Sequence, residues 1–187
     1  MRSLEERETE VQNNKPTFKS VFKRFDRCEE ETLKRVELLK TILINLRYEG
    51  KASIGRNAKE ARLVLNFFKK NLIDHFRIEE KIFFPFLKIH LPKLDPVICL
   101  LHSEHQDFKR CLSHFQKSLS EVLKKKSSEK RRELIEKLME HGTYMIYLLR
   151  NHFLVETKSV HQVVNRQLRL AERKELLKRL SKGHAHS

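Results

Sequence analysis

The stretch Asp74–Phe86, DHFRIEEKIFFPF, sets a histidine and a glutamate one helical turn apart, at His75 and Glu79. Steps of three and four along the surrounding segment pick out Ala61, Leu65, Phe68, Leu72, His75, Glu79, Phe83 and Phe86. That period predicts an amphipathic helix from Asn57 to His90 with these side chains on its core face. An imidazole and a carboxylate on such a face are costly to bury unless they are paired or bind a cation. The other segments decide between those outcomes.

Three more stretches carry the same period. Pro16 opens one that runs from Thr17 to Tyr48, with Phe18, Phe22, Phe25, Glu29, Leu33, Val36 and Leu43 on its seam. Another runs to Lys124, with Asp95 expected as its N-cap and Pro96 as its first helical residue. Its seam reads Ile98, Leu101, His105, Phe108, Leu112, Phe115, Leu119 and Val122. The last starts near Ser128, where Ser127 or Ser128 can cap. Its seam is Leu134, Leu138, His141, Met145, Leu148, His152, Glu156, Ser159 and Val163. The connections are Gly50–Asn57, the turn Leu91–Pro96 and the charged run Lys124–Glu133. Long helices with short connections predict an all-α, up-down-up-down four-helix bundle over residues 17–165. Residues 1–16 read as a flexible N-terminal segment, and 166–187 as a basic C-terminal helix and frayed tail.

The polar breaks in the four seams fall at one depth. With a rise of about 1.5 Å per residue, Glu79 lies roughly 18 Å and His105 roughly 14 Å from the connection between the second and third segments. Antiparallel packing puts Glu29 and Glu156 at similar depth. His75 with Glu79, and His152 with Glu156, are i, i+4 pairs that aim two side chains from one helix face at one point. His105 faces them from a third segment and Glu29 from a fourth. A nitrogen–oxygen set of this kind inside a bundle suits a pair of iron or manganese ions.

Composition narrows the classes. A length of 187 residues suits one domain with a real core. The net charge of +15 implies attraction to an acidic protein or an anionic surface. Nucleic-acid binding is disfavoured, because the basic residues are spread along the chain and Lys124–Glu133 interleaves no aromatic side chains. No run of about 18 apolar residues spans a membrane, and the polar N-terminus is no secretory signal. Cys28, Cys99 and Cys111 are odd in number and widely spaced, so neither a disulfide framework nor a thiolate metal site is expected. A cytoplasmic location is the expectation.

HFRIEEKIFFP (His75–Pro85), LHSEHQDF (Leu101–Phe108) and NHFLVE (Asn151–Glu156) resemble, in that order, the motifs of the hemerythrin-like, or HHE cation-binding, family. The resemblance covers residues 17 to 165. It implies a site for two non-haem iron ions, with manganese or a mixed pair as alternatives. His75, His105 and His152 would be terminal ligands, and Glu79 and Glu156 bridging carboxylates. Members of the family bind dioxygen, sense oxygen or iron, or handle nitric oxide and iron for cluster repair. This chain departs from the family pattern in three places. The first segment has no histidine and offers Glu29, with Glu30 as second choice; Leu101 and Lys109 flank His105 where a second imidazole would stand; and Thr157 follows Glu156. Fewer imidazoles and more carboxylate make a harder set that favours higher oxidation states. The expected function is therefore binding, sensing or reduction of dioxygen or a related oxidant, peroxide or nitric oxide, with oxidase- or peroxidase-type activity as one form. The competing reading is a basic helical interaction module whose metal site is structural or absent.

Other residues are assigned blander roles. Glu80 faces solvent or supports a ligand, His102 lies on the surface, and His141 belongs to the core or to an access channel. Tyr144 and Tyr147 line the site or simply pack. No partner is identified for His90, His114, His161, His184 and His186.

Overall fold

A computed structural model describes residues 18–48, 53–124 and 128–183, with side chains from Phe25 onward in the first helix. The N-terminal segment, most of the first connection, the caps at Ser127 or Ser128, the seam positions Phe18 and Phe22, and the tail with His184 and His186 lie outside the described residues and side chains. The described chain is all-helical, in five helices. Helix α1 is Phe18–Tyr48. Helix α2 covers residues 54–90 as three α stretches joined by two π turns, Phe68–Leu72 and Glu79–Phe83. A 3-10 turn, Pro92–Leu94, leads into α3, Asp95–Lys124. Helix α4 covers residues 128–167, with a third π turn at Glu156–His161. Helix α5 is Leu170–Gly183.

The four long helices close a ring of contacts. α1 packs on α2 and α4, and α3 packs on α2 and α4. The predicted seams of α2 and α3 are buried at every position. Three predicted positions elsewhere are displaced. In α1 the seam runs through Thr32 rather than Leu33, which is exposed. In α4 it runs through Val160 and Val164 rather than Ser159 and Val163, because the π turn takes more residues per turn and delays the stripe by one. Helix α2 starts at Ile54, three residues earlier than expected, because Ile54, Asn57, Ala58 and Ala61 give its first turns a buried face. Asp95 is not an N-cap. Its backbone is already helical where the 3-10 turn feeds α3, and its carboxylate accepts from Lys88 Nζ at 2.9 Å. Gly142 lets α4 approach α1 and α3 closely: a Cβ there would lie 2.5 Å from Leu43 Cδ1 and 3.0 Å from a Phe115 ring carbon.

The basic C-terminal extension belongs to the packed body. The chain breaks at Leu168, whose ψ of 130° ends α4. Arg169 N–H then donates to Glu172 Oε2 at 2.8 Å, a helix-starting bond from residue three back to the cap. Leu176 and Leu180 insert among Phe25, Phe83, Phe86, Val160 and Val164. α5 thus lies against α1 and the π turn Glu79–Phe83. Its basic side chains lie on the outer face, while Leu176 and Leu180 close one end of the core.

The core is in two parts. One is built on Leu39, Leu65, Phe68, Phe108, Phe115 and Leu149, the other on Phe25, Phe83, Leu87, Leu101, Val160 and Leu176. A layer of buried polar side chains belongs to neither part.

Candidate metal centre

That layer holds Glu29, His75, Glu79, His105, His152, Glu156 and His161, all buried. Helix α1 supplies Glu29, α2 supplies His75 and Glu79, α3 supplies His105, and α4 supplies the rest. All six residues predicted as ligands are therefore brought together. His161 is the addition. Five residues along an α-helix turn through about 500°, which would set His161 roughly 140° away from Glu156. A π turn, with its i to i+5 hydrogen bonding, returns residue i+5 to nearly the same face. Glu156–His161 is such a turn, and His161 Nε2 lies 3.3 Å from Glu156 Oε1. The 3.6-residue period could not reveal this. Glu79, like Glu156, is the first residue of a π turn.

The donor atoms fall on two sides. On one, single atoms of Glu79, His105 and His152 lie within 4.8 Å of one another. On the other, the same holds for Glu29, His75 and Glu156, and for Asp26, Glu29 and His161. The two inner carboxylates span both sides. Glu79 Oε1 is 3.2 Å from His75 Nε2, and its Oε2 is 3.3 Å from His105 Nε2. Glu156 Oε1 faces His161, and its Oε2 is 3.9 Å from His152 Nε2.

Hydrogen bonds outside the layer fix the tautomers on the first side. His105 Nδ1 is 2.9 Å from Glu80 Oε1, and His152 Nδ1 is 2.9 Å from Glu104 Oε2. An ionised carboxylate can only accept, so each Nδ1 donates and each Nε2 keeps its lone pair. Those two Nε2 atoms face each other at 3.3 Å, with Glu79 Oε2 beside them. Lys109 Nζ holds Glu80 from the outside at 2.8 Å. Phe76 stacks on the His105 ring at 3.8 Å. On the second side Phe25 meets His75 edge-on at 5.1 Å, and Thr157 Oγ1 donates to Glu29 Oε2 at 3.4 Å.

The electrostatics differ between the sides. Burial, followed by the neighbouring His152 ring, pushes His105 down to about 2. Burial and then the Glu156 carboxylate lift Glu29 to about 7. Burial and then Glu156 also hold Glu79 well above the usual carboxylate range. Burial would lower His75, but the Glu79 carboxylate, together with Cys28 and the Glu156 carboxylate, outweighs it and holds the ring well above its ordinary value. Burial would lower His161 too, and Glu156 likewise outweighs it. Without a cation, then, His105 on the first side is neutral, whereas Glu29, His75 and His161 on the second retain protons.

The donor set fits a metal. Both oxygens of Glu79, both of Glu156, Glu29 Oε1 and His75 Nε2 are buried with no hydrogen-bond partner among the described residues. The N···O approaches to Glu79 and Glu156 are within ion-pair distance but lack hydrogen-bond geometry. Buried carboxylate oxygens in that state are rare unless a cation satisfies them.

Several sequence expectations end elsewhere. Glu80 supports His105, and Glu104, given no role by its spacing, does the same for His152. Glu30 is exposed and pairs with Lys34. His102, Tyr144 and Tyr147 are exposed, so the tyrosines do not line the layer. His141 is half-buried beside His114, their rings 5.5 Å apart. His90 stacks on Phe86 and approaches Glu172 at 3.4 Å.

The model of the hemerythrin HHE cation binding domain matches residues 18–145. The matched span includes Glu29, His75, Glu79 and His105 and stops before His152, Glu156 and His161. Comparison with curated proteins and with solved structures gives no match. Among the described residues no helix is long and apolar enough to cross a membrane.

Proposed function

The chain belongs to the hemerythrin HHE cation-binding domain family, and we propose that its polar layer holds two non-haem iron ions and uses them to bind, sense or reduce dioxygen or a related small oxidant. The observation that carries this reading is the placement of Glu79 and Glu156, each with one oxygen toward the His105–His152 side and one toward the His75 side. His105 and His152 would hold one ion and His75 with Glu29 the other, with the two glutamates between them. When bound, the ions supply electrons and a Lewis-acidic position for the oxidant. The protein's own part is orientation and exclusion of water. Glu80 and Glu104 keep His105 and His152 presenting Nε2 and raise their basicity. Phe25, Phe76, Phe83 and Phe153 pack around the rings and keep the layer dry. Manganese, alone or paired with iron, fits the same nitrogen–oxygen set.

The ring of helix contacts supports the up-down-up-down bundle, with α5 as its basic extension. The +15 charge favours an acidic protein or an anionic surface as partner. Free Cys28, Cys99 and Cys111 suit the reducing cytoplasm. The test is metal analysis with a visible spectrum, in air and after reduction. About two irons per chain with an oxo-bridge band are expected for a carboxylate-bridged pair. A colourless chain that takes up no metal would sink the proposal and leave the interaction module standing.

A further inference from the structure

We propose that His161 is a metal ligand of the second position, where it takes the place of an imidazole that α1 does not supply. This rests on the proposed metal centre and adds a residue outside every motif that points to that centre. Residues 18–48 contain no histidine, and α1 contributes Glu29 and, at the exposed rim, Asp26. Without His161 the second position has a single imidazole, His75, against two on the other side. With it the sides become alike in nitrogen count, and the second has Glu29 in addition.

Three observations converge on His161. Its side chain is 93% buried, its exposure being 7%. Its donor nitrogen lies within 4.8 Å of donor atoms of both Glu29 and Asp26, and 3.3 Å from Glu156 Oε1. It is delivered by a π turn that begins at Glu156, so one distortion of α4 aims both side chains at the same point. A π turn inside a helix is uncommon and is frequent at functional sites. Phe83, from the π turn that begins at Glu79, meets the His161 ring with centroids 6.3 Å apart. The two distorted turns therefore face each other across the second position. With a terminal carboxylate added to two imidazoles, that position is the harder one and should keep the more highly charged ion of a mixed-valence or mixed-metal pair.

A purely structural role for His161 is a hydrogen bond to Glu156. Two substitutions in the full chain separate that role from ligation. In His161→Gln the amide can still donate to Glu156 but is a poor ligand. In His161→Glu the carboxylate is a good ligand but repels Glu156. Iron is counted per folded chain after anaerobic loading and desalting, with folding read by far-UV circular dichroism. The expected result is two irons in the wild type, one in His161→Gln, and more in His161→Glu than in His161→Gln. Two irons in both variants, or more iron in His161→Gln than in His161→Glu, overturns the ligand role and leaves the metal centre itself intact. No iron in the wild type overturns the metal centre and this inference together. Should the variants not fold, crystals of the iron-loaded wild type decide. An anomalous peak about 2.0–2.1 Å from His161 Nε2 supports the ligand role, and iron confined to the His105–His152 side overturns it.

Discussion

The two sides of the polar layer are held in different ways. His105 and His152 are each gripped from behind by a carboxylate of the preceding helix, Glu80 from α2 and Glu104 from α3. Their protons are assigned and their lone pairs face inward before any ion arrives. Among the described residues, His75 and His161 instead approach the layer's inner glutamates, Glu79 at 3.2 Å and Glu156 at 3.3 Å. Here burial and mutual repulsion of carboxylates favour protonation, so protons occupy the place a cation would take. The first side is pre-organised, whereas the second exchanges protons for metal.

Glu79→Ala should have the largest effect, because Glu79, like Glu156, serves both sides. We expect neither iron to be retained, measured by elemental analysis of the folded chain. Retention of one iron would show that the sides are less interdependent than the shared carboxylate implies.

Next in size is a pH effect confined to the metal-free protein. Glu29, at about 7 in the folded state against an ordinary 4.5, contributes stability below 4.5 that is lost as pH rises through 7. The raised Glu79, His75 and His161 act in the same direction. His105 acts oppositely: lowered to about 2, it gains stability for the fold as pH rises to 6.5 and contributes no slope above that. Between pH 6.5 and 8 the metal-free chain should therefore lose about 1.4 kcal/mol per pH unit for each excess proton it holds. Denaturant melts at several pH values measure this slope. In the iron-loaded chain the slope should vanish, since ligation has already displaced those protons. A metal-free chain whose stability rises across that window would refute the proton-holding account of the second side.

Glu104→Gln should have the smallest effect. It weakens the grip on His152 Nδ1 without removing a ligand. A loss of about 10- to 100-fold in iron affinity is expected, read by chelator competition. The effect should fall on the ion held by His105 and His152. An equal loss at both positions would mean that Glu104 acts on the layer as a whole.

Much of this was legible in the sequence. The i, i+4 pairs His75–Glu79 and His152–Glu156, and the lone His105, stood out because α-helical spacing put them on otherwise apolar stripes. Glu29 stood out for the same reason. The structure brings all six residues into one layer. Glu104 was not legible in this way, since it lies off the stripe of α3 and acquires its role only when α4 brings His152 alongside. The threes-and-fours count puts Leu33 on the seam of α1, because it tolerates a slip of one residue. The structure gives that place to Thr32.

By itself the sequence determined the helical class, the buried faces of the second and third helices and the chemistry of the layer. These follow from local periodicity and from the cost of burying charge. The tertiary structure decided three further matters. It wound α4 into a π turn at Glu156 and so brought His161 inward, a change of about one residue per turn that no fixed-period count detects. It laid the leucines of α5 over Phe25 and Phe83, making an apparently separate basic helix the closure of the core. And it set one oxygen of Glu79 and one of Glu156 on each side of the layer, because only the packing of α2 against α3 and α4 fixes where a carboxylate's two oxygens point.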